Sequence, residues 1–287
     1  MQRVKIFVFF LLLAPLPLLA QTDQVDEFID DLLGEDDLIN ELIKSSSVRH
    51  LVQVGVDYND KTYFSGRDIG IDQFHIVPRI SYVHSKGFFS SISGVYYSGF
   101  SPKWDYTSLL LGYGNSFDKH KKFNWSVSYA RYIYSNDIEG LFENAISASV
   151  DYLSKNRNFG SVLESTFLFG GDTSFQLTST TFKEFELYQR NGFEISLRPQ
   201  IEITIAQQTI EQIRIDRDGV IPVIIYTQNH EFGLINTEVK FPVQCSYKSF
   251  DFELGYTLNI PNSLPDEGAL KSRGFFNISL SYTMLFN

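Results

Sequence analysis

The stretch Phe193-Glu-Ile-Ser-Leu-Arg-Pro-Gln-Ile-Glu-Ile-Thr-Ile205 decides the fold. Phe193, Ile195, Leu197, Pro199, Ile201, Ile203 and Ile205 lie on one side of an extended chain. Glu194, Ser196, Arg198, Gln200, Glu202 and Thr204 lie on the other. Side chains alternate across a strand, so this period of two predicts a strand with one apolar and one polar face. Charges on the polar face exclude the dry centre of a β-sandwich on that side.

Working outward, the same alternation recurs. Phe276, Ile278, Leu280, Tyr282, Met284 and Phe286 oppose Asn277, Ser279, Ser281 and Thr283. Phe250, Phe252, Leu254, Tyr256 and Leu258 oppose Asp251, Glu253, Gly255 and Thr257. Phe142, Ile146, Ala148, Val150 and Tyr152 oppose Glu143, Ser147, Ser149 and Asp151. Phe74, Ile76, Pro78, Ile80 and Tyr82 oppose His75, Arg79 and Ser81. Ile235, Val239, Phe241, Val243 and Cys245 oppose Asn236, Glu238, Lys240 and Gln244. Segments 48–58, 123–134 and 159–169 alternate less cleanly, and 88–97, 104–115 and 175–188 mix their faces. Together these segments predict an all-β chain, a single up-and-down antiparallel transmembrane barrel of about twelve strands over 48–287.

Connection lengths support that count. The turns at 85–87, 118–122, 154–158, 190–192 and 248–249 are short. The alternate connections at 59–72, 135–141, 207–231 and 261–273 are longer, with 170–172 a short exception. Phe88, Phe123, Phe159, Phe193 and Phe250 open strands beside the short turns. Tyr82, Tyr152, Tyr188, Tyr247 and Phe286 close strands at the same end. Such a ring of aromatics suits a membrane–water interface and has no purpose in a soluble sandwich.

Composition removes several other classes. With 26 Phe and 16 Tyr among 287 residues and only 20% charged, the chain is too apolar for wholesale disorder. Its mean hydropathy of −0.10 is too low for a helical membrane protein, whereas a barrel averages its two faces. A net charge of −10 argues against general nucleic-acid binding. The lone Cys245 excludes an intrachain disulfide framework and a cysteine-based zinc cluster.

The first twenty residues read as a secretory signal. Arg3 and Lys5 precede the apolar run 6–13, and Ala20 offers a small residue for cleavage. Residues 21–47 form an acidic leader with nine acids against Lys44 alone. Its apolar residues, including Phe28, Leu32, Leu33, Leu38 and Leu42, recur at helical spacing. We read a short amphipathic periplasmic leader there, either a solvated tail or a docking element for a protein partner.

The signal, alternating strands, short turns and terminal Tyr282-Thr283-Met284-Leu285-Phe286-Asn287 resemble bacterial outer-membrane β-barrel proteins. Asn287 stands where those proteins usually end on an aromatic. The acidic leader behind an Ala20-Gln21 cleavage site is similar to exported proteins of Bacteroidota. The resemblance implies a Gram-negative outer-membrane location, lipid contact and periplasmic termini. It reaches no family of assigned activity.

The predicted inward face carries Asp57, Glu143, Asp151, Glu164, Glu184, Glu186, Glu194, Glu202, Glu238, Asp251 and Glu253 against Arg79, Arg198 and Lys240. Two readings stay open: an ion-paired network filling a narrow interior, or a carboxylate-lined pore for small solutes or ions. A scaffold docking partners through the leader or the 207–231 hairpin is the alternative. Catalysis would need a histidine beside a nucleophile or acids. His50, His84, His120 and His230 fall at rims and loops. His75, with a lumen acid or with Asp60, Asp68 and Asp72, is the one plausible grouping. We expect no enzyme activity, cofactor or metal. Within 207–231, Ile210, Ile213 and Ile215 precede Asp216-Arg217-Asp218-Gly219, and Val220, Ile221, Val223 and Ile224 follow. Asp-Gly between β-branched runs predicts a rigid two-stranded ribbon turning at 217–219.

Overall fold

The computed structural model describes residues 50–286, apart from 65, 69–70, 119, 137–140, 172, 217–222 and 266; over 208–230 it describes the backbone. The signal segment 1–20, the leader 21–47 and the ribbon turn at 217–219 lie outside the described residues.

Among the described residues, twelve antiparallel strands form the wall. They are β1 His50–Asn59, β2 His75–His84, β3 Phe88–Tyr97, β4 Trp104–Ser116, β5 Phe123–Tyr134 and β6 Phe142–Leu153. β7 Phe159–Gly170 follows, then β8 in two segments, Ser174–Lys183 and Phe185–Arg190. β9 runs as Phe193–Leu197 and Gln200–Asp216, and β10 as Val223–Lys240 and Val243–Tyr247. β11 Phe250–Pro261 and β12 Arg273–Phe286 complete the wall. Each strand pairs with its sequence neighbours. β12 closes the ring on β1, in register from His50↔Phe286 to Asn59↔Asn277.

The paired breaks have a chemical cause. Pro199 and Pro242 have no N–H to give to a ladder, so β9 and β10 part beside them. The Arg198 amide donates to the Pro242 carbonyl at 3.0 Å, and the Lys183 amide to the Pro199 carbonyl at 3.1 Å. β8, β9 and β10 therefore break side by side at one level. The alternation from Phe193 to Ile205 predicts one continuous ninth strand, which Pro199 instead divides. Beyond Lys183, β8 loses its partner β7, and Phe185–Arg190 is exposed on both faces. Glu186 accordingly points into solvent-accessible space rather than into an enclosed interior.

All five short turns use a residue of positive φ: Gly87, Lys121, Arg157, Asn191 with Gly192, and Lys248. The two-residue turns at 191–192 and 248–249 need this backbone to match the twist of their strands, and the longer turns at that end use it once each. The wall's solvent pattern is inverted relative to a water-soluble protein. Among the described residues, 27 buried residues are polar or charged against 17 apolar. The outward rows, such as Ile146 and Val150 on β6 or Ile201 and Ile203 on β9, are exposed. An apolar exterior around a polar interior is the arrangement that lipid as solvent selects.

Of the four register shifts in the described ladders, two bear on the faces predicted for Glu143 and Ile235. At Phe142–Asn144 the register with β7 skips Glu143, which places Phe142 in the buried row. On β10, Thr204 pairs with Asn236 and Ile205 with Leu234, skipping Ile235. Ile235, expected on the outward row, is instead buried against Ala206 and Leu264. Past Ala206, among the described residues, β9 pairs in a ladder with β10 alone. Ten further pairs run from Gln207↔Phe232 to Asp216↔Val223, about 30 Å of two-stranded ribbon at the usual strand rise.

Candidate functional site

The inward side chains fall into two unlike walls. The first spans β9 to β11. Lys240 Nζ donates to Glu202 Oε2 at 3.0 Å and lies 3.5 Å from Glu238 Oε2, with all three side chains largely buried. Asn236 Nδ2 adds a hydrogen bond to Glu238 Oε1 at 3.2 Å. Glu202 and Lys240 sit on neighbouring strands, and Glu238 lies two residues from Lys240 on the same face, so the period of two assembles the group. Glu253 accepts from Gln244 Nε2 at 3.0 Å and from Asn277 Nδ2 at 3.3 Å. Asp251 is half-buried beside it on the inward row of β11. Arg198 stacks its guanidinium 3.8 Å from the centre of the Phe182 ring. Glu194, half-buried near the short-turn end, accepts from Gln189 Nε2 at 3.2 Å.

The second wall spans β2 to β7. Val77, Val95, Tyr97, Tyr106, Leu110, Tyr132 and Ala145 belong to one buried apolar cluster toward the long-loop end. Tyr106 meets Tyr132 edge-on, with ring centroids 5.6 Å apart. Below it lies a small-hydroxyl layer in which Ser126 bonds Ser149 at 2.8 Å and Ser147 bonds Thr166 at 2.7 Å. Asp151 accepts from Asn124 Nδ2 at 2.6 Å, and Glu164 from Thr166 Oγ1 at 3.0 Å. Arg79, buried on β2, pairs with Asp57 of β1 at 3.0 Å. Glu143, assigned to the inward row by simple alternation, is about half exposed because of its bulge and pairs with Arg131 at 2.7 Å.

The aromatic wall is not visible in the period-two pattern. Its signal was the mixing of faces in 88–97 and 104–115: an apolar inward row opposite an apolar outward row erases the alternation.

His75 uses its ring on Asn59 Nδ2 at 2.9 Å and Thr62 Oγ1 at 3.0 Å. Asp72 pairs with Lys61, Asp68 lies 3.9 Å from Arg273, and Asp60 accepts the Phe276 amide at 2.8 Å. The grouping of these acids with His75 is therefore not assembled. Among the described residues, no group of three or more His, Cys, Asp and Glu side chains is placed to hold a metal. Cys245 is a free thiol in the outward row, across from Ile195 and Phe252.

At the long-loop end, the β1–β2 connection folds a small hairpin, Tyr63–Phe64 paired with Arg67–Asp68. Phe64 packs near Tyr97 and Phe100, with ring centroids at 5.9 and 6.4 Å. Arg67 grips Glu267 through two hydrogen bonds of 3.1 and 3.0 Å. It also donates to the carbonyls of Ile235 at 2.9 Å and Asn262 at 3.1 Å. Asn259 Nδ2 donates to the Gly66 carbonyl at 2.7 Å.

No protein-family model matches the chain, and no curated protein matches it. Solved structures similar to it include the KdgM porin, at 10% identity and a TM-score of 0.45, covering 81% of this chain and 98% of that one. The NanC porin gives 10% identity and 0.46, covering 80% and 98%. An outer membrane channel from Pseudomonas putida F1 gives 9% and 0.44, covering 83% and 95%.

Proposed function

We propose that this chain is an outer-membrane β-barrel that passes small solutes or ions through an acid-rich interior. One observation carries the reading: the wall is inside-out, with charged side chains such as Glu202, Glu238, Glu253 and Lys240 inward and apolar side chains outward. Carboxylates along one interior wall favour cations over anions. The reading is non-enzymatic, supported by His75 engaging Asn59 and Thr62 rather than an acid. Both barrel ends, His50 and Phe286, meet at the short-turn end, which supports placing the termini in the periplasm.

Purified protein in planar bilayers should give discrete current steps. In a potassium chloride gradient the reversal potential should favour potassium, and Glu202→Gln with Glu238→Gln should move it toward zero. A bilayer that stays silent at both polarities argues against conduction.

The ribbon favours a second reading, an envelope scaffold. Ten strand pairs with no third strand laddered to them among the described residues offer backbone edges to a partner. The leader residues Phe28, Leu32, Leu33, Leu38 and Leu42 would supply a further docking stripe. Deleting 207–231 should then release a co-purifying protein while the barrel stays folded.

A further inference from the structure

We infer that the Tyr63–Asp68 hairpin is a latch that holds the long-loop mouth of the barrel narrow, with the Arg67–Glu267 pair as its catch. The inference rests on the channel reading and adds its regulation.

The hairpin belongs to the connection between β1 and β2, yet its tip touches inward residues of strands on either side. Phe64 reaches Tyr97 at the end of β3. Gly66 and Arg67 reach Asn259 on β11 and Ile235 on β10. Around the wall, β3 and β11 are four strand steps apart, about 19 Å at the usual spacing. A tip that contacts both cuts across the mouth instead of following the rim. Its depth is marked by Asn259, which is 0% exposed and lies on the inward row with Thr257. Gly66 has a φ of +74°, and a Cβ there would come within 2.4 Å of the Asn236 side chain. The tip is thus seated against the wall at van der Waals contact.

The attachment is uneven. On the β3 side it is apolar packing of one ring. On the other side it is the Asn259 bond to the Gly66 carbonyl and four hydrogen bonds from a single guanidinium, two of them to one carboxylate. Such a fork is strong while formed and is lost as a unit when either charge goes. Glu267 also accepts the Leu264 amide at 2.9 Å, so the catch holds the last long loop as well as the hairpin. Two connections about 200 positions apart, the first and the last, are joined over the mouth by one guanidinium, through its ion pair with Glu267 and its bond to the Asn262 carbonyl. Removing that pair shifts the hairpin toward undocked states, and removing it at Glu267 leaves the Arg67 bond to the Ile235 carbonyl of β10 in place.

The test uses the full chain with Cys245→Ser throughout, with folding confirmed by heat-dependent gel mobility. Arg67→Ala and, separately, Glu267→Gln should raise mean current severalfold at unchanged selectivity. A second readout is independent of conduction. Thr257→Cys, behind the latch, should react slowly with a membrane-impermeant maleimide in proteoliposomes and severalfold faster when Arg67→Ala is added. Equal currents and equal labelling rates with and without Arg67 overturn the latch and leave the channel standing. Faster labelling with no current from any variant supports the latch as a structural closure and overturns the channel reading.

Discussion

The β9–β11 wall and the β2–β7 wall bury inward side chains at the same parity by opposite means. The first satisfies charge with charge: Lys240 lies between Glu202 and Glu238. The second packs rings toward the long loops, with Tyr97, Tyr106 and Tyr132 in one cluster, and holds its acids Asp151 and Glu164 by neutral hydrogen bonds. The difference teaches that inward-facing is a geometric property, and that its chemistry is set wall by wall. In the proposed channel the aromatic wall is a support and the ionic wall sets the field that a solute meets.

That division can be broken experimentally. The largest effect is expected at Tyr106, which is buried between Tyr132 and Tyr134. Tyr106→Ala should destabilise the barrel by about 4 kcal/mol, as a large-to-small core change does. The midpoint of heat-dependent gel mobility reads this, and the reversal potential should not move. A shift in selectivity here would erase the distinction between the walls.

Next comes Lys240→Met, which leaves Glu202 and Glu238 facing each other without their cation. Losing one member of a buried ion group costs about 3 kcal/mol. Unlike the tyrosine change, this one should also increase cation preference, and adding Glu202→Gln should restore most of the stability. Unchanged selectivity would place the ionic group outside the path.

The smallest effect tests a site on neither wall. Asp118, on a short turn, accepts amides of Phe123, Lys122 and His120, at 3.1, 2.8 and 3.1 Å. These bonds, that from Phe123 foremost, hold its carboxyl below the ordinary value of 3.8. A depressed carboxylate stabilises the fold above its unfolded-state value, and the contribution fades as pH falls through the folded one. Asp118→Ala should therefore melt slightly below the parent at neutral pH and converge with it in strong acid. A gap that persists in acid would show that the aspartate acts through something other than its charge.

Much of this was legible in the sequence because strand parity is local. Glu202 and Glu253 point inward for the same reason that Ile201 and Phe252 point outward, and one strand suffices to see it. The strand count followed from turn lengths, which are equally local. Glu143 and Ile235 were misplaced because a bulge inserts a single residue whose position depends on the neighbouring strand's register. The break at Pro199 gained its meaning from Pro242 on the adjacent strand.

By itself, then, the sequence determined the period-two wall, its twelve strands and the inside-out distribution of charge. Each of these depends on residues a few positions apart. The tertiary structure alone decided which carboxylates share Lys240, that the β2–β7 interior is aromatic toward the long loops, and that Arg67 meets Glu267 across the mouth. Those contacts join residues up to 200 positions apart, and no local pattern encodes them. They exist because closing the sheet into a ring brings distant strands and loops over one interior, where every charge must find a partner.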